Sequence, residues 1–304
     1  MKALVGYTGF VGQNLWASGD YDRGYNSKNI EEAFGTKPEL LVYAGVRAEK
    51  FLANKNPERD AENIQEAFEN IQKIDPQKLV LISTIDVFKN PNGKDEASRI
   101  DMDGLEAYGA NRYRLEFKVR EFYPEATIIR LPGLFGQGIK KNFIYDFMTR
   151  IPAMLKYEKF DELSEKEPVL TEYYERLDNG FYKLLPIAHS EEDLLKEKFN
   201  KLGFTSLLFT DSRSKYQFYP LSHLSHDVNT VLENNIHLFH PATEPVSAGE
   251  VYTYLTGEKF VNELSGNPAD YDYKTIYDGL FGGSDGYIMT KQEVLNCIKE
   301  FVNA

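Results

Sequence analysis

The chain has 304 residues, enough for one large domain or a larger one with a smaller partner, and 42% of them are hydrophobic, which supplies a sizeable core. Its net charge of −12 argues against a nucleic-acid or anionic-membrane binder, whose affinity rests on a basic surface. The single cysteine, Cys297, excludes a disulfide framework or a thiolate metal site within one chain; set in an apolar helical pattern, it is expected as a small buried hydrophobe.

The N-terminus enters a strand with no basic-apolar leader, and no apolar run reaches membrane-spanning length, so the cytoplasm is the expected compartment. Ala3, Leu4 and Val5 form that strand. Three glycines three apart follow, Gly6, Gly9 and Gly12, and Phe10, Val11, Leu15 and Trp16 then recur at helical spacing. Such a turn has a physical logic: the first glycine permits the bend, the second lets backbone amides approach a pyrophosphate, and the third lets helix and strand pack closely. Glycines also mark ordinary turns, so the weight rests on the position directly after an apolar strand.

Downstream, a brief strand at Gly24–Asn26 precedes Ser27 and Lys28, and Asn29 is placed to cap a short helix over Ile30–Phe34. Glu39–Gly45 reads as a buried strand, Pro57–Ile74 as an amphipathic helix, and Lys78–Thr84 as the clearest buried strand. Asp86–Arg99 reads as a loop, Glu106–Phe122 as a helix, and Thr127–Pro132 as another strand. Strand–helix alternation with near-continuous apolar strands predicts an α/β fold with a doubly wound parallel sheet. Ile151–Gly203 is expected as helices outside the sheet. Tyr216–Leu221 and Ile236–His240 read as returns into it, with a short helix over Asp227–Leu232 between them. Val246–Leu255 reads as a helix whose Ser247 and Glu250 form a capping box.

Ser83 and Thr84 stand at the carboxyl end of a strand, and Tyr108 lies on the next helix. A hydroxyl and a phenol together can polarise a carbonyl and pass a proton, which is what hydride transfer at a C–OH/C=O centre needs. A phenol ionises near pH 10 and needs a neighbouring cation to serve near neutrality; Arg112, four residues on, shares its helix face.

Gly6-x-x-Gly9-Phe10-x-Gly12, Ser83-Thr84-Ile85-Asp86-Val87-Phe88 and Tyr108-x-x-x-Arg112 together resemble the extended short-chain dehydrogenase/reductases. More narrowly they are similar to nucleotide-sugar epimerases, dehydratases and dTDP-4-dehydrorhamnose reductases. The resemblance covers residues 1–145, more faintly 216–257, and not the stretch between. It implies a Rossmann-like NAD(P)-binding domain over 1–140 with a late sheet return near 222–245. The remainder, 141–221 and 246–304, is the smaller, mostly helical substrate-binding part. It implies Thr84, Tyr108 and Arg112 as catalytic residues, with Thr84 on the reacting oxygen, Tyr108 as acid/base and Arg112 where the family has lysine. Gly6, Thr8, Gly9, Phe10, Val11, Gly12, Ala44, Gly45, Ser83, Leu131 and Pro132 are implied on the cofactor. Asn63, Asp86, Gly133 and Asn142 are implied on the substrate.

Where NAD sites place an acid at the end of the second strand, this chain has Ser27 and Lys28, which favours NADP(H) over NAD(H). Arg213, with Asp211, either clamps a substrate phosphate or belongs to a turn before a strand. His189, His223, His226, His237 and His240 are scattered without metal-ligand spacing, so no metal is expected. The family habit is a homodimer through the Glu106–Phe122 helix. Two rival readings stand beside an enzyme. One is a non-catalytic NAD(P)-binding regulator, suggested by arginine at position 112; the other is a scaffold of the same fold.

Overall fold

The computed structural model describes residues 1–304, which divide into two compact units. The first comprises Met1–Ile139, Tyr216–Val246 and Asp270–Phe301; the second comprises Lys140–Lys215, Ser247–Ala269 and Val302–Ala304. The sequence reading assigned all of 246–304 to the second part. Residues 270–301 instead join the first unit through long-range pairings that no local pattern announces. Ile288 N–H donates to the Ala242 carbonyl at 2.8 Å, and Glu244 N–H to the Met289 carbonyl at 2.9 Å. The Gln217 carboxamide accepts from Tyr273 N–H and donates to the Tyr273 carbonyl.

In the first unit five strands follow one another: β1 (Lys2–Val5), β2 (Arg23–Tyr25), β3 (Leu40–Tyr43), β4 (Leu79–Thr84) and β5 (Thr127–Leu131). With the late strand Leu238–Phe239 they form one parallel sheet, whose order runs from that strand through β5, β4, β3 and β1 to β2. The strands are apolar along nearly their whole length because helices cover both faces. They are α1 (Phe10–Trp16), α3 (Pro57–Ile74) and α4 (Ala107–Phe122), with the short α2 (Lys50–Lys55) before α3. Pro57 opens α3 at a position where its missing amide hydrogen has no helical acceptor to lose. Ile64, Phe68, Ile71 and Ile74 form its buried stripe against β3 and β4 side chains such as Leu41 and Leu81; each contributes roughly 1.5–3 kcal/mol. The order turns back between β1 and β3, which makes the carboxyl ends of these two strands the crevice where an open α/β sheet binds ligands.

The stretch Tyr216–Leu221 does not rejoin this sheet. Phe218–Pro220 pairs in parallel with β6 (Gly133–Phe135) in a separate two-stranded piece. Leu238 and Phe239 do rejoin it, beside Ile128 and Ile129.

The second unit is less helical than expected. Beside α5 (Phe143–Thr149) and the helices Tyr157–Lys166 and His189–Lys201, a three-stranded antiparallel sheet has Phe181–Leu184 between Met154–Lys156 and Tyr174–Arg176. Asp178-Asn179-Gly180 makes its hairpin, with Gly180 at φ 89°. An Asn-Gly pair between short alternating runs is a hairpin signal that the surrounding charge obscured. Phe160, Leu163, Tyr174, Leu195 and Phe199 form this unit's core. The helix Ala248–Thr256 starts at the capping box of Ser247 and Glu250. No helix of the chain is long and apolar enough to cross a membrane.

Candidate active site

The glycine turn joins β1 to α1. Gly6 has φ 88°, and its N–H donates to the Tyr25 carbonyl at 2.7 Å. A Cβ on Gly6 would lie 2.5 Å from the Ala44 carbonyl oxygen, and one on Gly12 would lie 2.0 Å from the Gly6 carbonyl oxygen. Both glycines are therefore demanded by the protein's own packing. Gly9 is different: its Cβ would meet one atom, at 3.3 Å, and the residue is exposed. What a side chain there would fill is the space before the first turn of α1, whose opening amides have no intrahelical acceptor. Thr8 is exposed, and Phe10 and Val11 are half-buried. The turn fits a dinucleotide pyrophosphate.

Ala44 and Gly45 follow β3, and Ala44 N–H donates to the Val5 carbonyl at 2.9 Å. Ser27 and Lys28 lie exposed just beyond β2 in a turn fixed by side-chain amides. Lys28 N–H donates to Asn26 Oδ1, and Asn26 N–H donates to Asn29 Oδ1. Asn29 thus holds the turn and makes no side-chain cap to the 3-10 helix after it. Leu131 ends β5 buried, and Pro132 follows half-buried.

The chemistry-bearing group sits at the end of β4. Thr84 Oγ1 accepts from Asp86 N–H at 3.2 Å, and Thr84 is near enough to the Tyr108 phenol to favour its ionised form. Tyr108 comes this close because Gly109 follows it: a Cβ on Gly109 would lie 2.1 Å from the Asp86 carbonyl oxygen. The Arg112 guanidinium stacks 3.9 Å from the Tyr108 ring centroid. Its donors are committed to protein. Nη1 donates to Asp60 Oδ2 at 2.5 Å, and Nη2 donates to the Arg47 carbonyl at 2.6 Å. Arg112 therefore supplies a positive field to Tyr108 but does not extend as a lysine would, because a buried carboxylate holds its planar fork. Burial dominates at the phenol and raises it above its ordinary value; Arg112, Thr84 and Lys50 pull the other way, and Asp86 adds to the rise.

Ser83 departs from its cofactor assignment. Its hydroxyl donates to Glu116 Oε1 at 2.6 Å, inside a sealed network in which Arg130 grips both Glu116 oxygens. Successive strand residues face opposite ways, so Ser83 and Thr84 cannot serve one ligand with both side chains. Asn63 is half-buried on α3, and the polar side chain that α3 gives this region is Asp60, three residues earlier. Asp86 is at the site, and Gly133 is exposed at the start of β6.

Asn142 and Arg213 belong to the second unit. Asn142 caps α5, accepting from Ile144 and Tyr145 N–H. Arg213 pairs with Asp211 at 2.7 Å and Glu263 at 3.1 Å, and the guanidinium holds the Asp211 carboxyl well below the usual range. Two carboxylates already neutralise this arginine, so its phosphate-clamp assignment gives way to the turn. Cys297, expected buried, is half-exposed on the C-terminal helix.

Sequence reasoning missed Lys50, Asn54 and Asp60. Lys50 Nζ pairs with Asp86 Oδ1 at 3.1 Å, and Asn54 Oδ1 accepts from Tyr108 N–H at 2.9 Å. One signal was present: Asp60 continues the apolar stripe of Ile64, Phe68 and Ile71, and a carboxylate on a buried face requires a buried cation.

No family model and no curated protein sequence matches the chain. Solved structures do match over nearly the whole length. The dTDP-4-dehydrorhamnose reductase of Bacillus anthracis, in complex with NADP, is 16% identical with a TM-score of 0.62, covering 99% of this chain and 96% of that one. The dTDP-4-dehydrorhamnose reductase of Clostridium acetobutylicum is 15% identical with a TM-score of 0.60, covering 100% and 99%. A variant UDP-glucuronic acid 4-epimerase of Bacillus cereus, bound to UDP-4-deoxy-4-fluoro-glucuronic acid and NAD, is 12% identical with a TM-score of 0.58, covering 100% and 99%. The chain shares the Rossmann-like α/β fold of these reductases and epimerases.

Proposed function

We propose that this chain is an NAD(P)-dependent oxidoreductase or epimerase acting at a hydroxyl or keto carbon of a nucleotide-linked sugar, with NADP(H) preferred. The observation that carries this reading is the buried Tyr108 on α4, where Gly109 packs against the Asp86 carbonyl just beyond Thr84, with the Arg112 guanidinium stacked 3.9 Å from the Tyr108 ring centroid. The dinucleotide, when bound, supplies or accepts the hydride. The Gly6–Gly12 turn would hold its phosphates by backbone amides, and Ser27 and Lys28 would meet its 2′-phosphate. Thr84 and Tyr108 orient the reacting oxygen. Tyr108 gives its proton to that oxygen as a carbonyl becomes a hydroxyl, and takes it back in the reverse direction. Substrate chemistry comes from the structural neighbours, which act on dTDP- and UDP-linked sugars.

The commitment of Arg112 to Asp60 favours a second reading, a non-catalytic NAD(P)-binding regulator. One titration series separates the two. Purified protein is titrated with NADPH and NADH, then assayed both for NADPH oxidation with dTDP-4-keto-6-deoxy sugars and for interconversion of epimeric dTDP- and UDP-linked sugars, which consumes no net cofactor. NADPH is expected to bind, and Gly9→Asp to weaken it about 100-fold, about 2.7 kcal/mol. Turnover that Tyr108→Phe abolishes with binding intact supports the enzyme. Binding without turnover supports the regulator, and binding of neither nucleotide defeats both.

A further inference from the structure

Helix α2 places a second cation at the site. Lys50 and Asn54 are one turn apart and share a face. Asn54 docks that face on the start of α4, accepting from Tyr108 N–H and donating to Glu106 Oε2 at 2.8 Å. From the same face Lys50 reaches Asp86, which follows Thr84 by two residues and donates its own N–H to Thr84 Oγ1. The charged and titratable groups around Tyr108 are then Arg112 on its own helix with its partner Asp60 on α3, Asp86 after β4 and Lys50 on α2; Tyr271 and Glu106 act in turn on Lys50. The two cations differ in kind. The Arg112 side chain is 6% exposed, with both terminal nitrogens committed to protein, whereas that of Lys50 is 45% exposed. Without Lys50, the Asp86 carboxylate would stand uncompensated beside a buried phenol and oppose its ionisation.

We propose that Lys50 is a positioning residue of this site: its ion pair with Asp86 cancels the carboxylate's charge beside the Tyr108 phenol and keeps that phenol competent for proton transfer. The proposal rests on the reading of Tyr108 as the proton donor, but its test needs neither cofactor nor substrate. Failure of the redox assignment and failure of this proposal are therefore separable. The probe is 3,5-difluorotyrosine incorporated at position 108, whose phenol titrates near neutrality and is followed by fluorine NMR.

Lys50→Gln is expected to raise the phenol's midpoint by about one pH unit, and Lys50→Arg to leave it within about a third of that. The Lys50→Gln/Asp86→Asn double variant is expected to return it toward the parent value, which a merely structural loss of α2 would not do. High salt should narrow the gap between parent and Lys50→Gln, because a half-exposed pair is screened. An unchanged midpoint in Lys50→Gln overturns the proposal, and so does a raised midpoint that Asp86→Asn fails to reverse. Should Lys50→Gln not fold, Asp86→Asn alone decides: it must lower the midpoint, and no change overturns the proposal.

Discussion

The last two residues of β4 face two regions built from the same parts. Behind Ser83 lies an arginine–carboxylate pair, Arg130–Glu116 at 2.6 Å, with the arginine 5.3 Å from the Phe88 ring centroid. Around Thr84 lies another, Arg112–Asp60 at 2.5 Å, with the arginine 3.9 Å from the Tyr108 ring centroid. The first region is sealed: Glu116 is 0% exposed, Arg130 1%, and the neighbouring His240 0%. The second pair is buried as well, but the half-exposed Asp86 and Lys50 stand at its edge, and its ring carries a hydroxyl. A buried ion pair beside an apolar ring holds a fold together; the same pair beside a phenol also tunes a proton. The difference between support and chemistry here is one hydroxyl and one route to water.

The largest expected effect breaks the sealed side. Glu116→Ala leaves the Arg130 guanidinium buried without its carboxylate and should cost about 3–5 kcal/mol, read as a lower midpoint of chemical unfolding. If the protein remains folded, the fluorine titration at position 108 should not move, since Glu116 and Arg130 bond Ser83 and His240 and neither bonds Thr84, Tyr108 or Arg112. A moved midpoint would show that the two regions are one.

A pH series sharpens the contrast. Burial first, and the adjacent Arg130 second, push His240 down to about 3 in the folded protein, against about 6.5 unfolded. Between those values the unfolded chain binds a proton that the native one does not, so stability is full above about pH 6.5 and falls as pH drops toward about 3. At pH 5.5 the loss relative to neutral pH should be about 1.4 kcal/mol. His240→Gln should flatten this part of the stability curve; an unaltered slope would show that another group titrates there.

The parts that were legible in the sequence are the ones written in neighbouring residues. The glycine turn, the apolar strands and the Pro57–Ile74 helix each depend on spacings of a few residues, and they appear with nearly the expected bounds. The partnerships of the site are long-range. Arg112 meets Asp60 across 52 positions and Lys50 meets Asp86 across 36. A four-residue spacing puts Arg112 beside Tyr108, yet it says nothing of the carboxylate that holds the guanidinium there. Ser83 shows the limit most sharply, because alternation along β4 predicts that it faces away from Thr84, and only the position of Glu116 shows what it faces. The second unit failed for another reason: three- and four-residue strands carry too few alternations to stand out against charged helices on either side.

The smallest effect tests the comparison most directly. Ser83→Ala removes a hydroxyl that donates to Glu116, but Arg130 still grips both carboxylate oxygens, so the loss should be about 1 kcal/mol. Thr84→Ala removes a hydroxyl that accepts from Asp86 N–H, beside the half-exposed Asp86, and should cost no more. Stability therefore hardly separates the two variants. Turnover and the fluorine midpoint at position 108 should: Ser83→Ala leaves both unchanged, whereas Thr84→Ala raises the midpoint and lowers turnover about 100-fold, the scale of one lost proton-transfer partner. Equal behaviour of the two variants would mean that the end of β4 is structural on both faces, and the chemistry would have to be sought elsewhere.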